Sequence, residues 1–229
     1  MNKRLVVSVA FVILIIVVAI SFSSYQANLL EMHDKTKYLE KIAAKQSPLL
    51  NLENGSPPLG SESASITIVE FGDYQCEACY HWFHNTRDTL IDNYIETGKA
   101  KLIFVDLPFI GQDSRIAAQA SYCAEDQGKY WEYHTMLYTF QNGPPDSGWA
   151  DRDRLNSFAF SLDMNMDEFN NCMDSSKYQK RVKANYDEAV KHGAQQTPSF
   201  IIISQDGTTK KFAGAQPYSV FAATIEPML

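Results

Sequence analysis

The sequence has no run of lysine or arginine and no stretch in which basic and aromatic residues alternate. Its 229 residues carry 20 Lys and Arg against 27 Asp and Glu, which gives a formal net charge of -7 at neutral pH. A protein that binds nucleic acid neutralises phosphates with a basic surface, and an acidic chain of this kind is a poor polyanion binder. We therefore expect no nucleic-acid partner.

Cysteine is also scarce, and the four residues are Cys76, Cys79, Cys123 and Cys172. The single C-x-x-C is followed by Tyr80, whereas covalent haem attachment requires C-x-x-C-H. A structural zinc site normally adds a second close cysteine pair, which the sequence lacks, although His81 and His84 lie nearby. These absences argue against haem and zinc, and we expect no metal and no cofactor.

Long apolar runs are rare as well, and residues 5–20 form the one example, with Ser8 as its single polar residue. With the next two residues it reaches the roughly 20 residues that a membrane-spanning helix needs. The preceding Lys3 and Arg4 favour a cytoplasmic N-terminus. We expect residues 1–24 to be a single-pass membrane anchor, with a cleaved signal peptide as the alternative. Both interpretations place the rest of the chain outside the cytoplasm, at the cell membrane or, after cleavage, in secreted form.

Residues 25–59 precede the predicted domain and divide into two parts. Residues 26–45 have apolar side chains at helical spacing among charged ones, and the following stretch is rich in Pro, Gly and Ser. We interpret residues 25–59 as a helical stalk and linker, and residues 60–229 as the folded domain.

Within residues 60–229, short β-branched apolar runs are separated by helical patterns. Strands are predicted at 66–71, 102–105, 199–203 and 208–212, and helices at 76–97 and from 217 onwards. A long helical tract, at about 114–192, separates the second strand from the third. This order predicts an α/β fold with a four-stranded mixed sheet, helices on both faces and a helical insertion.

The C-x-x-C lies where the first predicted strand passes into the first predicted helix. A cysteine at a helix N-terminus meets unpaired backbone N–H groups and the positive end of the helix dipole, both of which stabilise a thiolate. Cys76 has this position and Cys79 lies one turn inside the helix, so Cys79 can close a disulfide with Cys76. A working redox pair explains this placement, whereas an inert bond across so short a loop would remove little chain entropy.

Three segments carry a resemblance to a known family: PPLGSESASITIVEFGDYQCEAC at 57–79, QGKYWEYHTMLY at 127–138 and TPSFII at 197–202. They resemble the DsbA-like thiol–disulfide oxidoreductases of the thioredoxin superfamily. The resemblance extends from about residue 60 to the C-terminus. It implies a thioredoxin-like fold with a helical insertion between the second and third strands. The predicted N-terminal transmembrane helix precedes this fold and lies outside the resemblance.

The resemblance also implies roles for five residues. Cys76 would be the attacking cysteine and Cys79 the buried resolving one. Pro198 would be a cis-proline facing the pair, with Thr197 offering backbone hydrogen bonds to an extended substrate peptide. Glu70 would be a buried carboxylate that relays a proton to Cys79. The alternatives are an ordinary trans-proline at the start of a strand and a strand-end charge that reaches water.

One position departs from the strongly oxidising members of the family, which carry Pro-His between the two cysteines. This chain has Glu77 and Ala78 there. A negative charge beside Cys76 is expected to oppose its thiolate and raise its pKa. The pattern therefore predicts a pair that is less oxidising than those relatives.

Cys123 and Cys172 lie 49 positions apart in the predicted helical insertion. Relatives of this type can carry an additional disulfide within the helical subdomain, and the resemblance implies one here. A bond that closes about 50 residues contributes roughly 4 kcal/mol in the loop-entropy description. Two free buried thiols and a second exchange relay are the alternatives.

These expectations describe an extracytoplasmic enzyme that exchanges disulfides with protein clients through Cys76 and Cys79, with the oxidase direction favoured. Its expected partners are unfolded or thiol-containing secreted proteins and a membrane redox partner. One alternative is a reductase or isomerase fed by a membrane electron donor. The other is a tethered thioredoxin-like chaperone or binding module in which the cysteines are incidental.

Overall fold

The computed structural model of the protein describes Gln26, Leu30, Met32, His33, Lys35 and residues 50–229. The five isolated residues are helical and fall in the predicted helix 26–45. The predicted membrane segment, residues 1–24, lies outside the described residues. Among the helices of the described part, none combines the length and the apolar character needed to cross a bilayer.

Residues Leu50–Leu229 form one compact unit built around a mixed sheet. Its strands are β1 (Leu59–Gly60), β2 (Ile66–Gly72), β3 (Ala100–Asp106), β4 (Ser199–Ser204) and β5 (Thr209–Ala213). Their spatial order is β1-β3-β2-β4-β5, in which β2 and β3 are parallel and the other neighbours are antiparallel. The four predicted strands are present, and β1 is a fifth strand at the edge of the sheet. The sequence did not predict it, because its two residues are too few to show an alternating pattern.

The helix after β2 is one continuous tract, α1, which contains two π-helical turns. It consists of α-helical Glu77–Trp82, π-helical Phe83–Arg87, α-helical Asp88–Leu90 and π-helical Ile91–Ile95. The later helices are α2 (Gln112–Glu125), α3 (Tyr130–Thr139), α4 (Arg152–Ser161), α5 (Met166–Asp174), α6 (Gln179–Lys191) and α7 (Tyr218–Ile225), followed by a 3-10 turn (Glu226–Met228). Helices α2–α6 lie between β3 and β4, so the predicted helical insertion is confirmed.

Strand β2 is apolar on both faces because helices cover both sides of the sheet. Ile66 and Ile68 pack in a core cluster to which α1 and α7 contribute. Val69 and Phe71 point the opposite way, into a second cluster that includes Ala189 of α6. Side chains alternate along a strand, so residue 70 faces the same side as the first pair and lies toward α1. This alternation sets the direction of the Glu70 side chain.

Residues 50–57, assigned above to a linker, belong to the compact unit. The Ser56 amide donates to the Phe104 carbonyl at 2.8 Å, and the Phe104 amide donates to Ser56 Oγ at 2.9 Å. Arg181 of α6 donates through Nε to the Asn54 carbonyl at 3.0 Å and through Nη2 to the Gly55 carbonyl at 2.6 Å. The lead-in to β1 is therefore held against both the sheet and α6.

Candidate active site

Cys76 is the N-cap residue of α1. The chain leaves β2 at Gly72, turns, and reaches Cys76 in an extended conformation with φ -78° and ψ 118°. The Cys79 amide donates to Cys76 Sγ at 3.3 Å, so the sulfur takes the place of a capping oxygen. Cys76 is 6% exposed and Cys79 is fully buried. Only the first of the two sulfurs is thus open to an external reactant.

The two thiols differ in acidity as well as in exposure. Hydrogen bonding from the Cys79 thiol lowers the pKa of Cys76 to about 7, and burial works in the opposite direction. Burial raises the pKa of Cys79 well above its ordinary value. At neutral pH the outer sulfur is therefore a partly formed thiolate, while the inner sulfur holds its proton.

A loop 121 positions further along the chain faces Cys76. The Cys76 thiol donates to the Thr197 carbonyl at 3.3 Å, and the Thr197–Pro198 peptide bond is cis. Thr197 and Pro198 come directly before β4, which pairs with β2. Because β2 leads into Cys76, the sheet itself brings the two predicted site segments together.

Glu70 lies in β2, toward α1, and is 1% exposed. Neither carboxylate oxygen has a hydrogen-bond partner among the described residues. Burial raises the pKa of Glu70 to about 8; the charge of Arg87 opposes this rise and Cys76 adds to it. The carboxyl group is thus buried, and it holds a proton at neutral pH.

Several buried polar residues of this region are missing from the sequence-based prediction. Arg87 of α1 is buried, its guanidinium carbon lies 4.9 Å from the centre of the Phe83 ring, and its Nε has no partner among the described residues. His134 of α3 is fully buried, with Nδ1 2.9 Å from the Tyr74 hydroxyl, and burial holds its pKa well below the ordinary value. Spacing gives no signal for either residue, because charged side chains are normally read as solvent-facing.

Glu77 does not act on Cys76 as the sequence suggested. Its side chain is 91% exposed and lies 3.7 Å from His81 Nε2, one helical turn along. Water screens such a charge strongly. The carboxylate that does oppose the Cys76 thiolate is Asp73, which is buried in the turn before it. Relative to a free cysteine, hydrogen bonding lowers the pKa of Cys76 to about 7, and the weaker oxidising power predicted for the pair stays a prediction.

Cys123 and Cys172 form a disulfide in the structure, at a sequence separation of 49. The bond joins α2 to α5 inside the core of the helical insertion. Cys76 and Cys79 are the free cysteines of the described chain. In the same described part, no three His, Cys, Asp or Glu side chains come together as a metal site.

A strand–C-x-x-C–helix unit that faces a cis-proline loop, on a mixed sheet with a helical insertion, defines a thiol–disulfide oxidoreductase of the thioredoxin class. A thioredoxin family model matches residues 53–226. The chain belongs to this family, and within it to the DsbA-like thiol–disulfide oxidoreductases. The resemblance drawn from the three segments is confirmed.

Individual relatives agree with this assignment. The disulfide bond formation protein D of Bacillus subtilis is 31% identical over 180 residues, which are 76% of this chain and 78% of that protein. The crystal structure of oxidised BdbD from Bacillus subtilis superposes with a TM-score of 0.70 at 28% identity, covering 80% of this chain and 96% of that one. The structure of Wolbachia pipientis alpha-DsbA1 gives a TM-score of 0.69 at 25% identity, covering 79% and 93%.

Proposed function

We propose that the protein is a membrane-tethered, extracytoplasmic oxidoreductase that introduces disulfides into client proteins through Cys76 and Cys79. One observation carries the proposal. The Cys76 sulfur caps α1, faces the Thr197 carbonyl and is the more accessible of the two, while Cys79 lies fully buried behind it. Relatives named for disulfide bond formation support the oxidase direction.

The exchange has two steps on the oxidised pair. A client thiolate attacks Cys76 Sγ, a client–Cys76 disulfide forms, the Cys76–Cys79 bond breaks and Cys79 leaves as a thiolate. A second client thiolate then attacks the client sulfur of the mixed disulfide and releases Cys76. The client loses two electrons and two protons, and the pair gains them as two thiols. Reoxidation requires an external acceptor, for which we propose a membrane redox partner.

Glu70 is the proposed proton donor for the departing Cys79. Its carboxyl group holds a proton at neutral pH, since its pKa is raised to about 8, and it has no hydrogen-bond partner among the described residues. Cys79 has a strongly raised pKa, so its thiolate takes up a proton readily. Thr197 and Pro198 are proposed to bind the client backbone next to Cys76.

The substitution Glu70→Gln tests whether this carboxyl group is buried and protonated. A group whose folded pKa of about 8 exceeds its ordinary value of 4.5 stabilises the fold below pH 4.5, and this contribution is lost as the pH rises to about 8. Glutamine does not titrate. We therefore expect Glu70→Gln to become more stable relative to the native protein by up to about 2.5 kcal/mol between pH 5 and pH 7. Urea unfolding of the reduced proteins at both pH values measures this difference.

Glu96→Gln is the matched control, because Glu96 is exposed at the other end of the α1 tract. Its stability relative to the native protein is expected to stay constant across the same pH range. A constant difference for Glu70→Gln as well would mean that Glu70 titrates as an ordinary carboxyl group. In that case the proton-donor role would be withdrawn.

A reductase fed by a membrane electron donor is the second candidate, and the pKa of Cys76 favours it. The pKa of about 7 equals the value typical of thioredoxin, a reductase, and lies far above the roughly 3.5 of the strongest oxidant of this class. A less stable thiolate stabilises the reduced form less and therefore lowers the reduction potential.

The reduction potential of the Cys76–Cys79 pair decides between the two directions. Equilibration of the purified full-length protein in glutathione buffers, followed by alkylation and mass analysis, measures it. For an oxidase with a partly stabilised thiolate we expect a value between about -200 and -120 mV. A value near about -270 mV would assign the reductase role instead. The absence of any defined equilibrium would refute both.

A further inference from the structure

A groove of ≈ 550 Å³ lies beside the active site. Gln75 and Glu77, the two neighbours of Cys76, both line it, together with Tyr80, His81, Ile110 and loop residues 141–145. That loop connects α3 to α4. Because the groove borders both neighbours of Cys76, a polypeptide that lies in it passes directly beside the reacting sulfur.

Hydrogen bonds to Gln75 hold the loop in place. Gln75 Nε2 donates to Asp146 Oδ1 at 3.0 Å, and the Asp146 amide donates back to Gln75 Oε1 at 2.7 Å. The same Nε2 donates to Ser114 Oγ at 2.9 Å, and the Asp113 amide donates to Asp146 Oδ1 at 3.0 Å. This reciprocal pairing fixes the loop relative to the residue that precedes Cys76. The fold therefore fixes the position of the loop that lines the groove.

The charge of the groove is negative. Among its lining residues, Glu77 is the one that carries a full formal charge at neutral pH, and neither lysine nor arginine contributes. The Glu77 side chain is 91% exposed and lies 3.7 Å from His81 Nε2, which also lines the groove. Asp146, which follows the loop residue Pro145, is exposed, and its Oδ1 accepts from Gln75 Nε2. The rest of the lining combines apolar Tyr80, Ile110 and the two prolines of the loop with polar Gln75, Gln141 and Asn142.

We infer that this groove binds the client segment that flanks the reacting cysteine, and that Glu77 selects segments with a lysine or arginine next to that cysteine. The inference rests on the proposed function and names its preferred substrates. Glu77 is then a specificity residue: it attracts the basic client side chain while the client thiolate attacks Cys76 Sγ and Cys79 leaves. No electron or proton passes through Glu77.

Single-cysteine peptides that differ only in a Lys or an Asp beside the cysteine test the inference. The rate of mixed-disulfide formation with the oxidised full-length protein is measured by quenched flow and mass analysis. Each rate is divided by the rate of the same peptide with hydroxyethyl disulfide, which removes differences in thiol reactivity. We expect the Lys peptide to be favoured about two- to fivefold, as for one exposed charge pair. The preference is expected to fall in high salt.

Substitutions at position 77 test whether Glu77 causes the preference for the Lys peptide. We expect Glu77→Gln to remove most of it and Glu77→Lys to reverse it. Glu96→Lys makes the same charge change at the far end of α1, away from the groove, and is expected to keep the native preference. Equal normalised rates for both peptides in the native protein, or an unchanged preference in Glu77→Lys, would overturn the inference. Failure of the native protein to react with either peptide or with 2-mercaptoethanol would instead count against the proposed function.

Discussion

Replacing Cys76 with serine is expected to abolish disulfide exchange with a dithiol client, with a loss on the order of a thousandfold or more. Cys79 is unable to take over the reaction, because it is fully buried and its pKa is raised well above the ordinary value. A hydroxyl group at position 76 forms no disulfide. The measurement is the initial rate at which the oxidised protein converts a reduced two-cysteine peptide to its disulfide.

Cys79→Ser separates the two sulfurs and serves as the companion variant. Its Cys76 thiol still reacts with an activated client disulfide, but no second thiol of the protein releases the product. We expect the mixed disulfide to accumulate and to be visible by mass analysis, linked at Cys76. Retained biological function in Cys76→Ser/Cys79→Ser would contradict the redox proposal. It would favour the tethered binding module.

Breaking the Cys123–Cys172 bond is expected to lower the free energy of unfolding by about 4 kcal/mol. The bond closes a loop of about 50 residues, and its loss returns that chain entropy to the unfolded state. It also joins α2 to α5 within one aromatic-rich core, so the packing of the insertion depends on it. Reductant added to Cys76→Ser/Cys79→Ser breaks this bond alone, and urea unfolding before and after reduction gives the difference.

The control adds Cys123→Ala and Cys172→Ala to the same background. That protein contains no disulfide, so its stability is expected to be the same with and without reductant. A loss below about 1 kcal/mol in the parent would show that the bond adds little beyond the packing around it. Ready alkylation of both thiols in the native protein would show that the bond is absent.

The four longer strands and helix α1 were predictable, because the residues of each segment alone show the pattern of that element. Strand β2 is an apolar run of the length that a doubly covered strand needs, and the helix after it begins at a cysteine and contains apolar side chains at helical spacing. The placement of Pro198 opposite Cys76 was predictable only through the family resemblance. Nothing within either segment indicates a partner 121 positions away.

The remaining features depend on tertiary contacts that a local pattern does not contain. Residues 50–57 are polar enough to suggest a linker, and they are ordered by Arg181, more than 120 positions later. Arg87 and His134 have no pattern that separates them from surface residues, yet both are buried. Glu77 was expected to act on the neighbouring sulfur, but its side chain extends into water, where its charge is screened. In each case the surroundings of the residue in the folded domain decide the outcome.

The docking of residues 50–59 has a consequence for the reach of the enzyme. A fully extended chain spans about 3.3–3.6 Å per residue, so ten residues held on the domain take roughly 35 Å from the longest span that residues 25–59 could otherwise reach. Arg181 of α6 binds the carbonyls of Asn54 and Gly55, so this part of the predicted linker belongs to the domain and moves with it. The distance over which the rest of that segment can carry Cys76 is then shorter than the sequence implies.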